Sequence, residues 1–273
     1  MGVHWIDWIL GILLNGAAAG AAYEKRMLTA SGAAAATVVG GVIFALGDAS
    51  WYVTLLAFFI SSSLLSKWKK RKKAALEQEY EKGSTRDSGQ VLANGGAAAA
   101  ACIGFALTSS PVWAAAFLGA MASVNGDTWA TEVGALSRTQ PRHILSGKRL
   151  TAGTSGGITP LGTFASLLGS LFMGFCFAAI ASMIGDSPIH PLWAMILAGA
   201  GGMAGSLFDS LLGATLQRMY TCRVCGNTIE KAVHCGESAQ PSRGWNWMNN
   251  DAVNFISSCV GAAIAVLIFW ISR

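Results

Sequence analysis

The chain has 273 residues, of which 53% are apolar and only 12% are Asp, Glu, Lys or Arg. Soluble domains carry about 25% charged residues, so this composition excludes an ordinary soluble domain, a disordered chain and a secreted disulfide scaffold. The 33 glycines let helices pack closely in a bilayer, and they favour an all-α, polytopic membrane helix bundle. The net charge of +5 suits anionic lipid headgroups better than nucleic acid in so apolar a chain. We expect residues 1–273 to form a single membrane domain within the lipid bilayer.

Eight apolar segments follow one another along the chain. A helix needs about 20 residues to cross the hydrocarbon layer. Segments near that length lie at 4–22, 29–46, 50–66, 89–108, 111–134, 157–183, 190–216 and 250–271. The first has no basic leader and no small-residue cleavage site, so we expect a retained helix rather than a signal peptide. The sequence therefore predicts about eight transmembrane helices.

The basic residues fall on alternate loops. Every Lys and Arg except Arg273 lies in a loop that follows the first, third, fifth or seventh span. By the positive-inside rule that face is cytoplasmic and both termini lie outside, which suits the inner (plasma) membrane of a prokaryote. The run from Lys67 to Lys73 is expected to rest on anionic headgroups. We also expect the stretch Lys67–Glu81 to extend the third span as a solvated helix.

Short echoes between the two halves of the chain suggest an internal duplication. Asn15-Gly16 in the first span matches Asn125-Gly126 in the fifth, and the other echoes keep the same order. Lys25-Arg26, followed by Thr29-Ala30, matches Lys148-Arg149, followed by Thr151-Ala152. Ser62–Leu65 matches Asp209–Leu212, and Asn94-Gly95 matches Asn250-Asp251. We predict a parallel four-plus-four repeat about an axis along the membrane normal, with chance matching among small residues as the alternative.

Acidic side chains inside apolar spans are costly and therefore mark functional candidates. Asp127 and Glu132 in the fifth span and Asp209 in the seventh lie near cytoplasmic ends, and Asp251 begins the eighth span at the same depth. Unpaired anions at one depth would repel one another, whereas magnesium or manganese with oxygen ligands would neutralise them. The alternative is that each acid pairs separately with a buried polar group. Glu132 is the weakest candidate, because it lies about 140° around the helix from Asp127.

Polar and basic residues accompany the acids in the same cytoplasmic layer. The segment Gly153–Gly157 is predicted to open the sixth span and to aim backbone N–H groups and a helix N-terminus at this layer, which suits phosphate. It is not a Walker A sequence, and a plain helix start is the alternative. The candidate phosphate- and nucleotide-binding residues are Asn94, Asn125, Arg138, Arg142, Lys148, Arg149, Gly153, Thr154, Ser155, Gly156, Gly157, Asn250 and Asn254.

A second candidate site lies in the cytoplasmic loop 217–249. Cys222, Cys225, His234 and Cys235 follow the spacing C-x2-C-x8-H-C. A reducing compartment disfavours disulfides, and four soft ligands favour a closed, structural zinc site. Because the adjacency of His234 and Cys235 is awkward for one tetrahedron, binding by three ligands, a redox role and no role at all are the alternatives.

Several long motifs are specific enough to indicate a family. The longest is Asn125-Gly126-Asp127-Thr128-Trp129-Ala130-Thr131-Glu132-Val133-Gly134. The others are Leu28–Gly32, Arg86–Gly96, Gly153–Gly157, Asp209–Ala214, the Cys222–Cys235 loop and Asn249–Asn254. With these motifs, nearly the whole chain resembles an integral-membrane family that includes the phytyl-phosphate kinases of plants and cyanobacteria.

The resemblance implies phosphoryl transfer from a nucleoside triphosphate, preferably CTP, to an isoprenyl monophosphate, giving the diphosphate. On this interpretation Asp127, Asp209 and Asp251 bind magnesium, with Glu132 as a fourth candidate ligand, and the basic loop and glycine segment hold the triphosphate. The acceptor needs no general base, because the second pKa of a phosphate monoester is about 6. The prenyl tail is expected between small-residue helices, with its phosphate at the cytoplasmic interface.

Two other classes of function stay open from the sequence. A prenyl-phosphate transporter or flippase would use the same ligand, but its acids should lie nearer the middle of the bilayer. A cytidylyltransferase that forms a CDP-lipid also needs metal-bound carboxylates, and it releases pyrophosphate. The prenyl chain length and the oligomeric state are not determined by the sequence.

Overall fold

The computed structural model describes residues 5–69, 81–185 and 188–272. Within these ranges the chain forms one helix at each of the eight predicted spans. The helices are α1 (Trp5–Glu24), α2 (Ala30–Leu46), α3 (Ala49–Lys67), α4 (Ser88–Thr108), α5 (Val112–Gly134), α6 (Pro160–Ile184), α7 (Pro191–Thr215) and α8 (Asn250–Ile271). α3 ends at Lys67, where Trp68 takes up an extended conformation. α3 therefore does not continue past Lys67 as the predicted solvated helix over Lys67–Glu81. Residues 70–80 of that stretch lie outside the described part of the chain.

Six of these helices, α1, α3, α4, α6, α7 and α8, are long and apolar enough to cross a membrane. α2 is a shorter apolar helix of 17 residues. α5 carries Asp127 and Glu132, and all of its residues from Ala114 to Gly126 are buried within the bundle, so protein rather than lipid surrounds this part of the helix. The prediction of a polytopic helical membrane protein is confirmed.

The bundle is built around α5, which contacts α3, α4, α6, α7 and α8. The core includes an aromatic cluster in which the ring centroids of Trp51 and Phe117 are 4.6 Å apart and those of Phe117 and Phe177 are 6.3 Å apart. α1 lies at the edge and packs on α2, which in turn packs on α4. The helices that carry the acidic residues are therefore the central ones.

Three glycines let α5, α7 and α8 approach one another closely. A Cβ atom on Gly201 would lie 2.7 Å from the carbonyl oxygen of Gly261, and one on Gly261 would lie 2.7 Å from the carbonyl oxygen of Gly119. Side-chain carbons do not occur at such distances, so any larger residue would push the helices apart. Because lipid gives helices no hydrophobic reason to associate, close packing of small residues is what joins them.

Short strands fill the loops at one end of the bundle. The pair β1 (Arg142–His143) and β2 (Gly157–Ile158) lies between α5 and α6, and the pair β5 (Val233–His234) and β6 (Glu237–Ser238) lies between α7 and α8; all pairings are antiparallel. The α7–α8 loop also holds a three-stranded sheet in the order β4 (Thr228–Ile229), β3 (Met219–Thr221), β7 (Gln240–Arg243). Strands of two to four residues leave no periodic pattern in a sequence, so the all-α prediction did not include them.

The two halves of the chain pack differently. α5 contacts α6, α7 and α8, and α7 contacts α6 and α8, whereas α1 packs mainly on α2, and α3 packs mainly on α5 and α6. One local likeness remains, because Thr29 and Thr159 each cap a helix by accepting a hydrogen bond from the N–H three residues on. Thr159, rather than Thr151, thus corresponds to Thr29. The predicted four-plus-four repeat is not visible as two equivalent bundles, and it stays a prediction.

Candidate functional site

A cavity of about 330 Å³ lies at the end of the bundle that carries the basic loops. α3, α5 and α7 end there, and α4, α6 and α8 begin there. Each of these six helices contributes a polar side chain to the lining, namely Ser66, Asn94, Asp127, Thr163, Asp209 and Asn254. The cavity therefore lies in the layer in which the sequence analysis placed the acids.

Three carboxyl groups meet in this cavity, and we refer to Asp127, Asp209 and Glu230 as the acid cluster. Asp127 from α5 and Asp209 from α7 interact electrostatically with each other, and both interact with Glu230, which follows β4 in the α7–α8 loop. The Oδ2 atom of Asp209 is buried and accepts no hydrogen bond from any described residue. Adjacent carboxylates repel one another, and an oxygen-only donor set suits magnesium or manganese. The acid cluster therefore has the chemistry of a divalent-cation site.

The sequence analysis missed Glu230. Burial raises the pKa of its carboxyl group, and hydrogen bonds from the hydroxyl of Ser155 and from the backbone N–H of Glu81 offset part of that rise. Glu230 lies outside every span, in a loop where acids are usually solvated. The one hint in the sequence is that it is the only acidic residue between Cys225 and His234.

Asp251 lies beside the cavity rather than in the acid cluster. Its carboxylate forms an ion pair with Lys82, which also pairs with Asp87 at 2.8 Å. Burial lowers the pKa of Lys82, but the hydrogen bonds and charges of the two aspartates outweigh burial and raise it, so Lys82 is cationic at neutral pH. A lysine therefore occupies the place next to Asp251 in which the sequence analysis expected magnesium.

Glu132 lines the cavity with a different partner. Its carboxylate accepts a hydrogen bond of 2.5 Å from the hydroxyl of Ser66 and interacts electrostatically with Arg86. Arg86 also lines the cavity, and its guanidinium lies over the rings of Phe58 and Phe59, at 5.5 and 5.9 Å from their centroids. Burial lowers the pKa of Arg86 to about 10, with Glu132 opposing the change. Arg86 is therefore a half-buried cation in the cavity wall, and it was not among the predicted site residues.

The predicted asparagines separate into two groups. Asn94, Asn250 and Asn254 line the cavity. Asn125 is fully buried elsewhere, where its amide donates to the carbonyl oxygen of Gly169 at 2.7 Å and accepts from the hydroxyl of Ser61 at 3.1 Å. Asn125 thus joins three helices, and the structure does not place it in the cavity.

The predicted basic residues Arg138, Arg142, Lys148 and Arg149 are exposed, and none of them lines the cavity. Arg142 donates to the carbonyl oxygen of Gly147 within its own loop. The cations that do line the cavity are Lys82 and Arg86. Lys82 and Arg86 come from the end of the α3–α4 loop, which is distant along the chain from the predicted basic residues, and sequence spacing gave no sign that they reach the cavity.

The segment Gly153–Gly157 lines the cavity as a turn rather than as the first turn of a helix. α6 begins only at Pro160, with Thr159 as its cap. Gly153 (φ 92°) and Gly156 (φ 84°) both have the left-handed backbone conformation that favours glycine. The segment therefore forms a bend just before β2, and we call it the glycine turn.

The glycine turn is held against α7 and presents free N–H groups. A Cβ atom on Gly156 would overlap Ala214, and Arg243 donates hydrogen bonds to the carbonyl oxygens of Gly213 and Ala214. The backbone N–H groups of Gly153, Ser155 and Gly156 donate no hydrogen bond to another described residue. Successive free N–H groups in a bend form a concavity that suits an anion.

An apolar groove of about 490 Å³ adjoins the cavity along α6. Phe164, Leu167 and Met203 line it, with Arg142 among its lining residues. Ile158, Thr159 and Thr163 line both the groove and the cavity. The apolar groove and the polar cavity are therefore neighbours that share these three lining residues.

The four predicted zinc ligands come together in the α7–α8 loop. One ligand atom from each of Cys222, Cys225, His234 and Cys235 lies within 4.8 Å of the other three. The adjacency of the last two is accommodated because Cys235 (φ 52°) and Gly236 (φ 80°) both have left-handed backbone conformations in the turn between β5 and β6. We call these four residues the Cys/His cluster.

A sequence model of the integral membrane protein family DUF92 matches residues 13–262, which is most of the chain. The chain belongs to this family. Protein PGR of Arabidopsis thaliana is 33% identical over 200 residues, covering 67% of this chain and 68% of PGR. An uncharacterized membrane protein of Methanocaldococcus jannaschii is 33% identical over 154 residues, covering 56% of this chain and 50% of that protein. No solved structure matches the chain.

The family membership confirms the resemblance that the motifs indicated. The matched range contains the acid cluster, the glycine turn and the Cys/His cluster. These groups are therefore parts of the DUF92 domain rather than of a separate appendage.

Proposed function

We propose that this DUF92 protein is a membrane kinase that transfers a phosphoryl group from a nucleoside triphosphate, with CTP as the expected donor, to an isoprenyl monophosphate such as phytyl phosphate. The observation that carries the proposal is that the acid cluster and the glycine turn line one cavity. Carboxylates alone suit many cations, and free N–H groups alone suit many anions. Side by side they suit a metal–triphosphate complex.

Asp127, Asp209 and Glu230 are the residues that would hold magnesium. The buried, unpartnered Oδ2 atom of Asp209 supports this assignment, because such an atom costs free energy unless something binds it. Magnesium bound there would neutralise charge on the phosphoryl group in transfer. Asp251 also has one buried oxygen without a hydrogen bond from the described residues, but its carboxylate pairs with Lys82 and it does not line the cavity. Glu132 accepts a hydrogen bond from Ser66, so the proposal requires neither residue as a ligand.

Arg86 and Lys82 would bind phosphate oxygens from the other side of the cavity. The planar guanidinium of Arg86 suits two oxygens of one phosphate, and its partial burial reduces the screening of that interaction by water. The glycine turn adds N–H donors without adding charge. The triphosphate and the acceptor phosphate together carry several negative charges, and bound magnesium would supply the positive charge that these two cations, which already have carboxylate neighbours, do not.

The apolar groove along α6 would hold the prenyl tail. Its lining of Phe164, Leu167 and Met203 is apolar, and it shares Thr159 and Thr163 with the cavity. A ligand with an apolar chain and a terminal phosphate would thus reach from the groove into the cavity. This shape supports a prenyl monophosphate as the acceptor rather than a small soluble alcohol.

In the proposed phosphoryl transfer, the protein has to position the two phosphates and neutralise their charge. The acceptor is an anion near neutral pH, because the second pKa of a phosphate monoester is about 6, so no general base is needed. An oxygen of that phosphate attacks the terminal phosphorus of the donor, and the nucleoside diphosphate leaves. The cavity lies at the end of the bundle with the basic loops, which we propose is the cytoplasmic side where nucleotides are available. A transporter would place these groups nearer mid-bilayer.

The proposal is tested by incubating purified protein with magnesium, each of the four nucleoside triphosphates and prenyl monophosphates of graded length, and identifying the products. We expect a nucleoside diphosphate and a prenyl diphosphate, with CTP the best donor. Pyrophosphate with a CDP-lipid would identify a cytidylyltransferase instead. Movement of prenyl phosphate across a liposome membrane without any product would identify a transporter.

A further inference from the structure

The Cys/His cluster shares its loop with Glu230. Cys225 precedes Glu230 by five residues and His234 follows it by four, so the chain passes through the cluster, enters the cavity and returns to the cluster. Glu230 thus lies near the middle of a short segment, residues 226–233, whose two flanking residues belong to the cluster. Any ion that fixes the cluster therefore also limits where Glu230 can lie.

The ligand atoms of the cluster lie close enough to share one metal ion. The Nδ1 atom of His234 lies 3.6 Å from Sγ of Cys225 and 3.2 Å from Sγ of Cys235. Zinc bond lengths of about 2.3 Å to sulfur and 2.0–2.1 Å to nitrogen give an S···N edge of about 3.6 Å in a tetrahedron. The observed separations are close to that edge.

The backbone around Cys222 is shaped to present its sulfur. The N–H of Val224 points at Sγ of Cys222 with a separation of 3.4 Å, and the N–H of Gly226 donates to the carbonyl oxygen of Cys222 at 3.0 Å. Gly226 has the left-handed conformation (φ 75°) that closes this turn. The turn leaves Sγ of Cys222 facing the other three ligands.

The strands on either side of Glu230 are short. β4 and β5 have two residues each, and β5 pairs only with β6, in a two-stranded hairpin of a kind that is at best marginally stable alone. Ile229 is the only buried apolar side chain among residues 226–233. A crosslink between Cys225 and His234 would remove most of the freedom of the segment between them.

We propose that Cys222, Cys225, His234 and Cys235 bind one zinc ion, and that this ion fixes Glu230 in the acid cluster. Zinc is then a structural metal with four protein ligands and no open position, at a distance from the reacting groups. Glu230 is the residue through which this site acts on the cavity. The inference concerns metal binding and loop position, and it does not depend on the nucleotide chemistry proposed above.

The first part is tested by measuring zinc in protein purified without chelator. Mass spectrometry of the metal content should give about one zinc per chain. The variant Cys225→Ser should lose it, whereas Cys259→Ser, which removes a free cysteine of α8, should keep it. A zinc content no higher than that of Cys225→Ser, in protein kept reduced throughout, would overturn the proposal.

The second part is tested by hydrogen–deuterium exchange at one amide. The N–H of Glu81 donates to Oε2 of Glu230 at 3.1 Å, so it reports whether Glu230 is in place. Removing zinc from folded wild-type protein should speed exchange at Glu81 while α7 and α8 stay protected. Glu230→Ala should speed exchange at Glu81 to the same extent while keeping its zinc.

Each outcome of the exchange experiment decides the second part. Faster exchange at Glu81 on zinc removal, restored when zinc is returned, supports positioning of Glu230 by the metal. Unchanged exchange after zinc removal would show that the loop holds Glu230 without zinc and would overturn this part. Neither readout measures phosphoryl transfer, so a failure here is distinct from a failure of the proposed kinase activity.

Discussion

At the scale of single residues, the acids at the cavity end of the bundle differ in what neutralises them. Asp251 has Lys82, and Glu132 has the hydroxyl of Ser66 and the charge of Arg86. Asp209 and Asp251 each have one buried carboxylate oxygen that accepts no hydrogen bond from the described residues, but only Asp251 has a cationic partner among them. An acid that already has a partner gains little from a cation, whereas one without a partner gains much.

This difference predicts different outcomes for two matched substitutions. Asp209→Asn should lower kcat/KM by about 10²–10³-fold, because it removes charge at the proposed magnesium site. Asp251→Asn should lower it by less than about tenfold, because Lys82 keeps Asp87 as a partner. Steady-state kinetics of both variants, after thermal melting has shown each to be folded, is the measurement. Equal losses in the two variants would contradict the distinction.

The raised pKa of Glu230 predicts a pH dependence of stability. Folding raises this pKa above the usual 4.5, so the folded chain binds the proton more tightly than the unfolded chain. The stabilisation is complete below pH 4.5 and is lost as the pH rises through the raised value. In magnesium-free buffer without chelator, the melting temperature should therefore fall above about pH 4.5. Glu230→Gln should flatten that fall, and Glu237→Gln, at an exposed position, should not.

At the scale of elements, loops as well as helices form the cavity wall. The helices bring Asp127 and Asp209 to one depth, but the α3–α4 loop supplies Lys82 and Arg86, and the α7–α8 loop supplies Glu230. Helices in a bundle present few side chains at any one level, so loops must fill the rest of the wall. Function at this end of the molecule therefore depends on short irregular segments.

A pair of glycine substitutions tests the role of the glycine turn. Gly147 and Gly156 both have left-handed backbones, but a Cβ atom on Gly147 would meet nothing within 4 Å, whereas one on Gly156 would overlap Ala214. Gly147→Ala should cost about 1–2 kcal/mol of stability and leave nucleotide binding unchanged. Gly156→Ala should cost a further 1–3 kcal/mol or so and weaken nucleotide binding. Melting and isothermal titration measure the two effects, and equal nucleotide affinity in both variants would contradict this role of the turn.

At the scale of the whole molecule, all the functional groups lie at one end of the bundle. The acid cluster, the glycine turn and the cations Lys82 and Arg86 line one cavity there. The Cys/His cluster lies in the α7–α8 loop at the same end. The distribution of Lys and Arg predicts that this end faces the cytoplasm, so the orientation of the chain decides which compartment supplies the substrates.

The orientation is tested with two single-cysteine additions at opposite ends. Ser146→Cys lies in the α5–α6 loop at the cavity end, and Ser109→Cys lies in the α4–α5 loop at the other end; both positions are exposed. A membrane-impermeant maleimide added to sealed inside-out vesicles should label Ser146→Cys above the level of the unmodified chain, and it should label Ser109→Cys only to that level, because both variants keep the exposed Cys225 and Cys235. The reverse pattern would place the cavity outside the cytoplasm.

The sequence predicted some residues of the candidate site and not others, for an identifiable reason. Asp127, Asp209 and the segment Gly153–Gly157 stood out because a charge in an apolar span and a glycine-rich segment are unusual wherever they occur. Glu230 and Arg86 did not stand out, because a charged residue in a loop is ordinary until the loop is seen to fold back into the bundle.

The sequence by itself determined the membrane class, the number and order of the helices, the placement of the basic residues on alternate loops and the grouping of Cys222, Cys225, His234 and Cys235. Each of these follows from composition, from span length or from spacing within one short segment. Only the tertiary structure decided that Asp251 pairs with Lys82, that Asn125 joins helices away from the cavity, and that Glu230 completes the acid cluster. Those contacts join residues as many as 169 positions apart, and helix packing and loop direction, which no local pattern encodes, determine them.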